Sequence, residues 1–135
     1  MSATRLKHVR VKDSADVAMV DFVGPQLMYS TDVVTEVGDE LKSVLQGRDP
    51  AKIVLDFRNV QYLSSGMLAQ LALLARDVEA SGGQVKLCGL GPVLRDALRI
   101  GRFDPYFAIY DNTESALKSF RPAAPKSEES AAPAP

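Results

Sequence analysis

The sequence predicts an α/β domain: a small, mixed, mostly parallel β-sheet of about five strands packed with about four α-helices. Three observations predict it. Strand-like and helix-like segments alternate from residue 5 to residue 120. Residues 52–57, KIVLDF, contain a continuous apolar run, the pattern of a strand covered on both faces in a parallel sheet. Val33, Val34, Val37, Leu41, Val44 and Leu45 recur at three- and four-residue spacing, the period of an amphipathic helix.

The elements follow in order. Residues 5–12 read as a strand in which Leu6 stands apart from Val9 and Val11, with basic residues between. A short hairpin through Asp13, Ser14 and Asp16 leads to a second strand, 17–23. After Gly24-Pro25 comes the helix at 31–46, with Ser30 or Thr31 as its cap and Gly47 beyond its end. Strand 52–57 follows, then a helix from Ser65 to Ala80 that stops at Gly82-Gly83. Residues 84–88 make the next strand. Pro92 opens helix 92–100, since a first helical residue has no use for its N–H. Residues 107–110 form a last strand, and Thr113 begins a short terminal helix, TESALKSF. Thr113 with Ala116 does not complete a capping box. The order is β-β-α-β-α-β-α-β-α, and its repeated β-α steps require crossover connections.

Residues 1–120 read as one domain. Residues 121–135, RPAAPKSEESAAPAP, hold no large apolar residue and are expected to be a disordered tail.

Composition narrows function. Hydrophobic residues make up 46%, an ordinary globular value. Sixteen basic residues against seventeen acidic ones give a net charge of −1, which argues against direct nucleic-acid binding. Cys88 is the one cysteine, so no intrachain disulfide forms. The first twelve residues lack a secretory apolar run, and no stretch reaches the roughly 20 apolar residues of a membrane span. A cytoplasmic protein is expected.

The inventory argues against an enzyme and against a cofactor. His8 is the one histidine, expected to be a solvated residue on an edge strand, so no His/Cys metal cluster is available. No phosphate-cradling glycine motif occurs. Gly89-Leu90-Gly91-Pro92 reads as a structural turn, because Pro92 removes a donor that a phosphate would need. Ser64-Ser65-Gly66 lacks the glycine two residues before a nucleophile-elbow serine. Cys88 ends an apolar strand and reads as a buried, inert thiol.

The loop Asn59–Met67 is the region left, because Ser64 and Ser65 stand where the second helix begins. Capping alone accounts for a serine there, since its oxygen accepts from a free backbone N–H. The same place suits a switch, because a helix start holds phosphate well and phosphorylation adds about −1.5 to −2 charges. On this helix Met67, Leu71, Leu74 and Val78 share a sheet-facing side, flanked by Leu68 and Ala75. Ala69, Leu73, Arg76 and Ala80 lie opposite. A solvated face normally carries Glu, Lys or Gln. This one reads either as harmless surface alanines or as a flat docking face centred on Leu73. Arg95, Arg99 and Arg102 make one basic stripe if the third helix reaches residue 102, either simply solvated or facing an acidic partner.

The run Ile53-Val54-Leu55-Asp56-Phe57, the serine pair with Gly66, and the Leu/Ala helix ending at Gly82-Gly83 resemble the STAS domain. So do Val85-Lys86-Leu87, Pro92-Val93-Leu94, and Ile100-Gly101-Arg102-Phe103-Asp104 before Phe107. The group most similar is the anti-sigma factor antagonists. The resemblance implies a partner-switching role. In that group the unmodified domain is expected to bind an anti-sigma factor, a GHKL-type serine kinase, and so to free a sigma factor. The kinase phosphorylates a serine at the start of the second helix, which breaks the complex, and a phosphatase reverses this. The family pattern Asp-Ser-[Ser/Thr]-Gly places the acceptor at Ser64, with Ser65 as second choice. Leu63 stands in place of the family aspartate. The implied partner-binding set is Leu63, Ser64, Ser65, Ala69, Leu73, Arg76 and Ala80. The family also contains units that are not phosphorylated, so a constitutive subunit of a transporter ATPase complex or a signalling scaffold is the alternative.

Overall fold

The computed structural model describes residues 3–14, 16–23, 31–48, 51–103 and 107–120. The tail expected at 121–135 and the Ser30 alternative for the first helix cap lie outside them. Among the described residues six strands form one sheet, β1 (Ala3–Arg5), β2 (Val9–Ser14), β3 (Val17–Phe22), β4 (Lys52–Asp56), β5 (Gln84–Cys88) and β6 (Ala108–Tyr110). They lie side by side in chain order. The β1–β2 and β2–β3 pairs are antiparallel, whereas β3 through β6 are parallel. The same residues form four helices, α1 (Thr31–Leu45), α2 (Ser65–Ala80), α3 (Pro92–Ile100) and α4 (Thr113–Lys118).

The single strand expected over 5–12 is two. The chain turns after Arg5, where the Leu6 N–H donates to the Val9 carbonyl at 2.8 Å, and the short edge strand β1 pairs back on β2. The isolated Leu6 marks that turn.

Alternation along each strand fills two layers. Val9, Val11, Val20, Phe22, Ile53, Leu55, Val85 and Leu87 face the side that carries α1, α2 and α3. Phe22 and Phe57 stack there with ring centroids 5.0 Å apart. Val17, Val54 and Cys88 face the other side and meet Ala116 of α4. Ile53, Val54 and Leu55 are all fully buried, so β4 is covered on both faces as its apolar run predicts. Lys86 belongs to the α4 layer. Its ammonium donates to Ser119 Oγ at 2.6 Å and lies 4.2 Å from the Phe120 ring centroid. Burial pushes its pKa below the usual range, while the Tyr110 hydroxyl beside it acts the other way.

His8 corrects the expectation of a solvated edge residue. It is 6% exposed, its Nε2 lies 2.6 Å from Glu36 Oε1, and its backbone N–H donates to Glu40 Oε1 at 2.9 Å. The physical reason is α1, whose acidic side covers the start of β2. The His8 hydrogen bond, then that of Lys7, holds the Glu36 carboxyl below its ordinary pKa.

Helix ends follow local chemistry. The α2 terminus is a Schellman turn: Gly82 takes φ +86°, its N–H donates to the Glu79 carbonyl, and the Gly83 N–H donates to the Val78 carbonyl. The α3 terminus repeats this with Arg102 at φ 60°, where Phe103 N–H donates to the Leu98 carbonyl at 2.8 Å. The helix therefore stops at Ile100 and the basic stripe through Arg102 does not form. Arg95 instead pairs with Asp111 at 3.2 Å and Arg99 with Asp96 at 2.8 Å. Arg102→Gly removes the left-handed strain of a side-chain-bearing residue. It is expected to raise stability by about 0.5–1 kcal/mol, read from urea unfolding. At α4 the cap is Asn112, one residue earlier than Thr113. Its Oδ1 accepts from the Ser115 N–H at 2.9 Å, and Ser115 Oγ answers in a capping box.

Cys88 has no exposed surface. Burial, aided by the Asp56 carboxylate, pushes its thiol up to about 12. With an unfolded value of about 8.5, the thiolate fraction at pH 8 falls roughly a thousandfold on folding. Iodoacetamide labelling is expected to slow by at least that factor in the native protein and recover in denaturant. The folded pKa is the higher one, so folding is weakened once the thiol ionises in the unfolded chain. The thiol's contribution is intact below about pH 8.5 and is lost as pH rises toward 12.

Candidate functional site

The loop between β4 and α2 is pinned before it reaches the serines. Phe57 N–H donates to the Cys88 carbonyl at 2.9 Å, and Val60 N–H closes a turn on the Phe57 carbonyl at 3.0 Å. Val60 and Leu63 then enter the core at 5% and 4% exposure. These two anchors leave Ser64 extended, at φ −71° and ψ 160°, as the N-cap of α2. Its Oγ accepts from the Met67 N–H at 3.1 Å, and its carbonyl accepts the helix bond from Leu68 at 3.0 Å. Ser64, not Ser65, does the capping.

That hydroxyl is half-buried, while Ser65 and Gly66 beside it are exposed. A Cβ on Gly66 would stand 3.8 Å from Ser64 Oγ, so glycine leaves that flank of the oxygen uncovered. The first turn of α2 carries no acidic side chain. The partial positive charge of the helix start is therefore not offset there. Tyr62, 44% exposed, lies just upstream.

Ser65, Ala69, Leu73, Arg76 and Ala80 are all exposed. Their spacing of four, four, three and four residues puts them in one stripe along α2. Leu73 is 49% exposed at its middle. Leu63 does not join them. Its side chain belongs to the core, because the residue before the cap must anchor the loop. Leu74, expected on the sheet side, is half-buried at the flank, and Leu68 and Ala75 take the buried positions with Met67, Leu71 and Val78.

A family model described as the STAS domain matches residues 8–116. The chain belongs to the STAS domain family. The "Putative anti-sigma factor antagonist BtrV" of Bordetella bronchiseptica is 31% identical over 75 residues, covering 56% of this chain and 65% of that protein. The chain thus spans less than two thirds of this relative. The structure of an anti-sigma-factor antagonist (STAS) domain protein from Planctomyces limnophilus superposes with a TM-score of 0.74 at 20% identity, covering 82% of this chain and 96% of that one. The anti-sigma factor antagonist SpoIIAA in its unphosphorylated form superposes at 0.61 and 16% identity, covering 82% and 94%. Both likenesses concern the fold. Among the described residues, no helix is long and apolar enough to cross a membrane.

Proposed function

We propose that this STAS domain is an anti-sigma factor antagonist in a partner-switching cascade. It holds an anti-sigma factor of the GHKL-type serine kinase class through the α2 stripe, and phosphorylation of Ser64 releases it. One observation carries the reading: the half-buried Ser64 hydroxyl caps the helix whose exposed stripe starts at Ser65 and runs through Leu73. In the free domain a phosphate on Ser64 faces the unpaired N–H groups of the first turn and is well accommodated. Against a partner the same dianion loses water and finds no added cation, so the complex is the state that suffers. The name of the Bordetella relative supports an anti-sigma factor as the partner.

A second reading, a constitutive subunit of a transporter ATPase complex or scaffold, draws on Leu63. Its apolar, core-bound side chain leaves no carboxylate just ahead of the acceptor. Titration calorimetry of Ser64→Ala and Ser64→Asp against the anti-sigma factor decides between them. Retention by the first and loss by the second supports the switch. Equal affinities support the constitutive unit.

A further inference from the structure

Helices α1 and α2 lie side by side on one face of the sheet, and at Gly38 they nearly touch. A Cβ on Gly38 would lie 3.0 Å from Gln70 Nε2. Toward their C-terminal ends they enclose a groove of about 500 Å³. Its floor is apolar, with Leu41 buried and Leu45 and Leu74 half-buried, and Leu73 rises 49% exposed at its wall. Its charged lining is Lys42, Arg48 and Arg76 against one acid, Asp77. Arg48 is occupied by Asp13 and the Val44 carbonyl. Lys42 on the α1 wall and Arg76 on the α2 wall are exposed, and Arg76 meets Asp77 only at 3.8 Å in solvent.

A single exposed leucine needs no explanation. An apolar trough with a cation on each wall is more specific. We propose that this groove docks an amphipathic helix of a partner protein, apolar along one face and bordered by acidic residues on both flanks. Apolar anchors one turn apart, about 5.4 Å, match a trough between two helices, and flanking carboxylates match its two rails. A second copy of this chain does not fit. The acid-rich helix is α1, with Asp32, Glu36, Asp39 and Glu40, but its apolar residues Val34, Val37, Leu41 and Val44 are buried in its own domain. The inference shares Leu73 and Arg76 with the α2 stripe of the proposed function but does not depend on phosphorylation of Ser64. That residue caps the N-terminal end of α2, where only Met67 and Gln70 line the groove, whereas Leu73, Leu74 and the cation Arg76 lie in the helix's C-terminal half.

The test uses the full chain and two designed helical peptides of about 16 residues. Both carry leucines at i, i+4, i+7 and i+11; one has glutamates flanking that row and the other lysines. The glutamate peptide is expected to bind about tenfold tighter and to shift the amide resonances of Gly38, Leu45, Gln70, Leu73 and Leu74. Lys42→Glu combined with Arg76→Glu is expected to invert the preference. Ser64→Asp is expected to leave it unchanged, which separates this inference from the switch. Equal affinity for the two peptides would overturn it, as would shifts confined to other surfaces. Self-association that Leu73→Glu abolishes, with neither peptide binding, would assign the groove to a second copy and also overturn it.

Discussion

Gly83→Ala is expected to destabilise the domain by about 3 kcal/mol, while Gly82→Ala, one residue away, costs about 1 kcal/mol. The two glycines do different jobs. Gly82 has the left-handed backbone, with φ +86°, and open space around it. A methyl there meets only its own backbone. Gly83 has no such φ, but an added Cβ would run into the Ala51 carbonyl oxygen and lie 2.7 Å from Val78 Cγ1. That carbonyl is not free to retreat, because it accepts the Gln84 N–H at 2.8 Å and fixes the start of the β4–β5 register. The cost therefore falls on helix end and sheet together. Urea unfolding of both variants checks this. Similar losses at the two positions would show that backbone conformation, not contact with Ala51, governs the turn.

Ser64→Asp is expected to weaken anti-sigma factor binding roughly 150-fold, a loss of about 3 kcal/mol for an unpaired charge placed at an interface. The same variant is expected to keep full stability, because aspartate caps a helix about as well as serine. Ser64→Ala reverses both outcomes. It retains binding but loses the hydrogen bond from the Met67 N–H, at a cost of about 1 kcal/mol. Stability and affinity thus move in opposite directions across one pair of substitutions. A variant that lost binding by unfolding would lose both. Thermal melts alongside calorimetry separate the cases, and parallel loss of both by Ser64→Asp would sink the switch.

Much of this fold was legible in the sequence because burial period and turn chemistry agree. The apolar run 52–57 announced a strand covered on both sides, and Pro92 and Gly82-Gly83 marked helix limits where they occur. The errors arose where long-range packing decides. Nothing local to His8 says that Glu36 and Glu40, about thirty residues on, will enclose it. Arg102 continues a helical spacing of basic residues, yet Phe103 draws the chain out of the helix and into the core. The candidate site was half legible. The serines and the α2 stripe could be placed from spacing alone. The inward turn of Leu63, and the groove that α1 adds beside Leu73, depend on how loop and helices settle on the sheet.

The side-by-side order of the strands has a consequence for how the molecule is made. Each strand from β2 onward pairs with the one synthesised just before it. Among the described strands none waits for a later segment to be inserted between it and its neighbour, although each parallel pair from β3 to β5 closes only after a crossover of about thirty residues, Ala18 meeting Ile53 and Ile53 meeting Val85. The chain order of the strands leaves two outer edges, on β1 and β6, that no other described strand covers.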